Sequence, residues 1–345
     1  MGTQSREEPY WNKIILIAVF VSLAMIVLCG PTAIVAGEKG YPSQPIKIVV
    51  PNAPGGSNDL LARMVADYLA KELKVPVLVE NREGASGMLG AAMVFKAKPD
   101  GYTLLAGGDL MCAGVLQSPN PPFNPFTDFL PICMVGATPS AFGVYSSSPF
   151  KTLTEFVKAA KGSPGKLTCG VTTLGSSTHL GLILLIKYSE IDIKVIPYKG
   201  NPQAIPALLG KHIDMLTLTS PSFRPQAESG EARILAVSSP IPGTSLRTLM
   251  EEGFPQPEFR LVEGFTAYHV VRNTPKEIHD KLVLTFERMV KNPEFSAKLD
   301  GLGSIRSYKN PAEYKEFIRD KWRVTSDILE TLGLRRWQGT VDWDK

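Results

Sequence analysis

No two cysteines are paired as CxxC in this chain of 345 residues, and only four are present: Cys29, Cys112, Cys133 and Cys169. That spacing excludes a zinc knuckle and a thioredoxin-type motif. The four histidines, His179, His212, His269 and His279, form no pair at a metal-ligand spacing, so no metal is expected. GxSxG, HExxH, a P-loop and GxGxxG are all missing. Ser57, His179 and Asp214 supply the residue types of a hydrolase triad. A triad is recognised by geometry and not by inventory, so no catalytic residue and no cofactor are assigned. A charge excess of one sign is also missing. Lys plus Arg is 37, Asp plus Glu is 33, and the net +4 is spread without a basic run, which speaks against nucleic acid as partner. Hydrophobic residues at 44% and charged residues at 20% exclude wholesale disorder.

Long apolar runs are absent but for one, Ile14–Cys29, which excludes a polytopic membrane protein. Lys13 stands before this run, Gly30-Pro31 breaks it, and small residues follow through Ala33, Ala36 and Gly37. At about 1.5 Å per helical residue the run spans about 24 Å, short of a bilayer core of about 30 Å. Residues 1–36 are therefore expected to be a secretory signal cut near Gly37, with an uncleaved anchor as the alternative. The mature protein would keep three cysteines, an odd number that no disulfide framework can use up.

After Gly37 the pattern alternates between strands and helices. Pro45–Val50 predicts a buried strand, and Leu60, Leu61, Met64, Val65, Tyr68, Leu69 and Leu73 share one helix face. Val75–Val79 predicts an edge strand marked by Pro76. Tyr102–Ala106, Lys166–Val171, Lys194–Pro197, Ile213–Leu218 and Ile234–Val237 read as further strands. Helices are predicted over 86–96, 178–188, 202–209, 275–291 and 311–332. Thr152 and Glu155 form a capping box, as do Asn310 and Glu313. Pro119–Pro131 predicts an irregular loop docked by Phe123, Phe126 and Phe129. Repeated βα units imply an α/β fold with mostly parallel sheets flanked by helices.

Two turns at strand-to-helix junctions carry the candidate site. Ala53-Pro54-Gly55-Gly56-Ser57-Asn58-Asp59 lets a backbone approach a ligand and opens a helix whose first N–H groups are unpaired. Gly175-Ser176-Ser177-Thr178-His179 repeats the arrangement in the second half of the chain, in a stretch rich in hydroxyls. Two helix N-termini facing one cleft would clamp an anion. Each dipole contributes only about 0.3–1 kcal/mol, and each direct bond to a carboxylate about 1.5–3 kcal/mol.

At this point the residues resemble a family. YPSQPIKIVVPNAPGGSNDLLAR (Tyr41–Arg63), VLVENREGASGMLGAAMVFKAKPDGYTLL (Val77–Leu105) and VIPYKGNPQAIPALLGKHIDM (Val195–Met215) are similar to the solute-binding proteins of tripartite tricarboxylate transporters, the Bug family. TPKEIHDKL (Thr274–Leu282) and NPEF (Asn292–Phe295) continue the likeness in family order. The resemblance implies a two-lobed, type II-like periplasmic binding fold with the ligand between lobes. Lobe 1 would comprise 44–143 plus 265–345 and lobe 2 would comprise 144–264, with hinges near Phe142–Tyr145 and Gly264–Tyr268. It implies an exported, monomeric, non-enzymatic protein that passes a small organic acid to the subunits of a membrane permease. Presentation of the acid to a sensor kinase, or a periplasmic hydrolase, are the alternatives.

Carried onto this chain, the resemblance places Ala53, Pro54, Gly55, Gly56, Ser57 and Asp59 on one side of the ligand, with Gly108 and Asp109 beside them. Gly175, Ser176, Ser177, Thr178 and His179 stand opposite, with the strand end after Asp214. His179 reads as either a ligand group or a capping residue. The Gly107–Cys112 turn departs from relatives, which write Ser, Thr and His there. Asp109 would repel a carboxylate unless it turns away or meets an amino group, and Met111 and Cys112 would make the pocket more apolar.

Overall fold

The computed structural model describes residues 40–339 and 341, so the apolar run and the expected cut near Gly37 lie outside the described residues. Within them, no helix is long and apolar enough to cross a membrane. The chain enters through β1 (Ile46–Val50), whose Ile and Val side chains are fully buried at four of five positions. Helix α1 (Ser57–Leu73), β2 (Val77–Asn81), α2 (Met88–Phe95), β3 (Thr103–Ala106), α3 (Ala113–Gln117) and β4 (Phe129–Thr138) follow. A second group then forms: β5 (Ser140–Tyr145), α4 (Leu153–Gly162), β6 (Thr168–Val171), α5 (Ser177–Ser189) and β7 (Lys194–Pro197). It continues with α6 (Asn201–Leu209), β8 (Met215–Thr219), α7 (Ser220–Glu228), β9 (Ala232–Val237) and the short α8 (Glu258–Leu261). The chain returns through β10 (Gly264–Val271), α9 (Lys276–Lys291), α10 (Pro293–Gly301), β11 (Ile305–Lys309) and α11 (Pro311–Thr331).

These strands build two sheets, β11-β4-β10-β3-β1-β2 and β7-β6-β8-β5-β9, one to each lobe. Both are mixed, which corrects the expectation of mostly parallel sheets. The βα units lie parallel, with β1 between β2 and β3, and β6 between β7 and β8. The strands β4, β5 and β10 run antiparallel to their neighbours. They are the strands that carry the chain between lobes, and a direct passage has no crossover helix to restore direction. Buried on both faces, these strands read in the sequence as plain apolar runs and not as alternating ones.

The sheets part at Pro139 and just before Gly264. Ser140–Gly143 therefore belong to the second sheet and Gly264 to the first, a few residues from the expected 143/144 and 264/265 boundaries. Phe129, expected in a loop, opens β4, and Phe123 packs edge-on against its ring at 5.2 Å. Phe126 docks on Trp322 at 5.0 Å. Both capping boxes form: Thr152 with Glu155 starts α4, and Asn310 with Glu313 starts α11.

Candidate functional site

The carboxyl ends of β1, β3, β6 and β8 converge, the place where open α/β sheets hold ligands. The first turn is tied down by Asp59. Its carboxylate is almost wholly buried and accepts from the Gly55 N–H at 2.9 Å, Asn81 Nδ2 at 2.9 Å and Arg63 Nε at 3.1 Å. Burial alone would raise its pKa, but the bonds from Arg63, Gly55 and Asn81 outweigh it and hold the group below its ordinary value. Asp59 thus shapes the loop. Ala53, Pro54 and Gly55 remain exposed on its outer rim, and Gly56 precedes the first turn of α1.

Ser57 reaches the other lobe. Its hydroxyl lies 2.6 Å from Thr219 Oγ1, which donates in turn to Ser222 Oγ at 2.9 Å. Beside it, Asn58 accepts from Thr266 Oγ1 at 2.6 Å and donates to Asn52 Oδ1 at 3.0 Å. Thr219 ends β8 and Ser222 lies in the first turn of α7, a third strand-to-helix junction. Sequence reasoning missed both because this junction, Thr217-Leu218-Thr219-Ser220-Pro221-Ser222, has no glycine. Its signal was the cluster of hydroxyls directly after an apolar strand.

The second turn is held by His179. Gly175, at φ +75°, donates its N–H to His179 Nδ1 at 2.8 Å. Accepting that bond needs a neutral ring, and burial pushes the His179 pKa down to about 4. Of the two readings of His179, capping is therefore the one its geometry matches. Ser176 caps α5: its Oγ accepts from the His179 N–H at 3.4 Å and donates to the Thr173 carbonyl at 2.8 Å. Thr178 Oγ1 lies 3.2 Å from Ser176 Oγ. A side chain at Gly175 would collide with Gln117 of the first lobe, its Cβ only 2.3 Å from Gln117 Nε2.

Asp109 leaves the first lobe on a turn that only glycine can precede. Gly108 has φ +146°, and a Cβ there would lie 2.2 Å from the Phe265 carbonyl oxygen. The Asp109 carboxylate ion-pairs with Lys321 Nζ at 3.4 Å and lies near enough to Ser177 of the second lobe to feel its hydroxyl. Burial raises its pKa against the opposing pull of Lys321 and Ser177. Met111 and Cys112 turn into the core, at 1% and 0% exposure, so they do not line the cleft as expected. Asp214 is not brought to the site either. It stands before β8, at the far end of the strand from Thr219, where Oδ2 accepts from the Thr168 N–H at 2.8 Å and Oγ1 at 2.7 Å. Ser57, His179 and Asp214 therefore do not assemble as a triad. Among the described residues no group of three His, Cys, Asp or Glu side chains is placed to hold a metal.

Hydroxyls and helix N-termini gathered at these junctions form an arrangement suited to an anion. The family model of the tripartite tricarboxylate transporter family receptors matches residues 61–334. The chain belongs to this family. It is similar to a protein of Cupriavidus necator named for the gbd 5′ region, 31% identical over 309 residues, covering 86% of this chain and 90% of the relative. Among solved structures, R. palustris Rpa4515 with adipate is 27% identical with a TM-score of 0.78, covering 85% of this chain and 98% of that one. The periplasmic binding protein BugD is 29% identical with a TM-score of 0.76, covering 86% and 100%. These receptors are solute-binding proteins and not enzymes.

Proposed function

We propose that this receptor captures a small organic acid outside the cytoplasm and hands it to the membrane subunits of a tripartite permease. The observation that carries the reading is the cross-lobe hydroxyl chain, in which Ser57 of the first lobe meets Thr219 and Ser222 of the second. Hydroxyls from both lobes meet there at the N-termini of α1 and α7. A carboxylate held among them gains charge-assisted bonds that neither lobe offers alone. Binding then favours the closed arrangement, a shape that a membrane partner can distinguish. The adipate held by the Rhodopseudomonas neighbour supports a carboxylate as the ligand class. Lobes that hinge at Pro139 and ahead of Gly264, export by the Ile14–Cys29 segment, and action as a monomer belong to the same proposal.

The test is mass spectrometry of small molecules that copurify with the protein, followed by calorimetric titration of the acid found. Replacing Ser57 by Ala is expected to weaken its binding about tenfold, the equivalent of about 1.4 kcal/mol. Unchanged affinity would remove Ser57 from the site. Recovery of the full-length chain from the cytoplasmic fraction alone would contradict export.

A further inference from the structure

A simple clamp for a carboxylate has no use for Asp109. Its turn stands against the start of α1, where a Cβ at Gly108 would lie 3.6 Å from Asn58 Nδ2, and its carboxylate lies near Ser177, the first residue of α5. Two glycines define that spot: a Cβ at Gly264 would lie 3.3 Å from Ser177 Oγ, and Gly108 is pressed against the carbonyl of Phe265. The protein's own carboxylate therefore stands where the helix end would receive the ligand's. Asp109 Oδ1 is buried without a hydrogen bond, and Lys321 Nζ reaches it only at the 3.4 Å of the ion pair.

Lys321 cannot follow a ligand into the cleft. It is 2% exposed, and its ammonium donates to the carbonyls of Glu263 at 2.6 Å and Leu261 at 3.0 Å, over the ring of Phe265. The Glu263 carboxylate is buried in the same cluster, with Ser238 donating to it at 2.5 Å. The buried Glu263 and the half-buried Asp109 thus share one buried lysine, and Arg260, the next cation, is exposed. Lys321 is thus engaged on every side, while 28% of the Asp109 side chain stays accessible.

We propose that Asp109 is the specificity-determining residue of the cleft, and that the ligand it admits is an organic acid that also carries an ammonium group. The acid end is held by Ser57, Thr219 and Ser222 at the starts of α1 and α7, and the ammonium meets Asp109 at the start of α5. A second carboxylate at that position would face a like charge in a site with little water to screen it. An ammonium supplies the missing cation and a donor for the carboxylate. The inference rests on the solute-binding function proposed above and narrows its substrate class.

The experiment is calorimetric titration of the purified full-length chain with amino acids and with dicarboxylates of matching carbon length, three to six carbons. The expected result is that an amino acid binds about tenfold more tightly than its dicarboxylate partner. Asp109→Asn, which keeps the shape, is expected to weaken the amino acid about tenfold and to strengthen the dicarboxylate, with circular dichroism melting confirming the fold. A wild-type preference for the dicarboxylate would overturn the inference even if the variant failed to fold, and so would a variant with an unchanged ratio. Either outcome leaves solute capture standing. Binding of neither class, together with no copurifying acid, would refute solute capture itself and this inference with it.

Discussion

Removing the Asp59 carboxylate tests how the first turn is held. In Asp59→Ala the Gly55 N–H, Asn81 Nδ2 and the guanidinium of Arg63 all lose their acceptor. Hydrogen bonds to a charged group are worth about 1.5–3 kcal/mol each. The Arg63 contribution is smaller, because its side chain is 52% exposed and water screens it. The two inner bonds alone suggest a loss of about 3 kcal/mol, near the upper range for single substitutions. At about 2–4 °C per kcal/mol for domains of 150–250 residues, the melting temperature should fall by about 6–12 °C. Asp59→Asn keeps one acceptor oxygen and should lose about half as much. The pH dependence has a definite sign. The folded pKa lies below the ordinary 3.8, so the carboxylate's stabilisation is complete above that value and fades as pH falls through the folded one. The gap between wild type and Asp59→Asn should therefore hold above about pH 4 and close as pH falls below it in chemical denaturation. A melting temperature for Asp59→Ala within 2 °C of wild type, or a gap that widens in acid, would refute the clasp.

Three further outcomes follow from buried groups. Burial pushes His179 down to about 4 and His269 to about 3, so the unfolded chain takes up protons below pH 6.5 that the fold refuses. Stability should fall by about 1.4 kcal/mol per pH unit for each ring between pH 6 and 4.5, and His179→Gln should remove about half of that slope in urea titrations. Gly108→Ala should cost about 3 kcal/mol or prevent folding, since its Cβ would meet the Phe265 carbonyl, and a soluble variant with unchanged melting would contradict this. Cys112, Cys133 and Cys169 are free and buried, the Cys112 thiol pushed up to about 12. A thiol reagent should therefore label them only after denaturant is added, and rapid labelling of the native protein would count against this burial.

Local signals in the chain were sufficient for the βα units. The Ile-Val run of β1, the one-sided face of α1 and the caps Thr152 and Asn310 act within a few residues, and the helices formed from them do not depend on distant partners to be recognised. The two glycine turns were legible for the same reason: a tight βα corner leaves its mark in adjacent residues. What a side chain does at such a corner is decided by what arrives from elsewhere. His179 serves its own turn through Gly175, four residues away, but Ser57 meets Thr219 and Ser177 meets Asp109 only because two lobes close on each other. Asp214 precedes the strand that leads to the site and still falls outside it, because Thr168 at the opposite end of the sheet claims its carboxylate. Lys321 lies more than two hundred residues from Asp109, in a helix whose pattern reads as an ordinary amphipathic one. Charge in a cleft is a sum over the surroundings, and no spacing along the chain records which buried cation will stand behind which carboxylate.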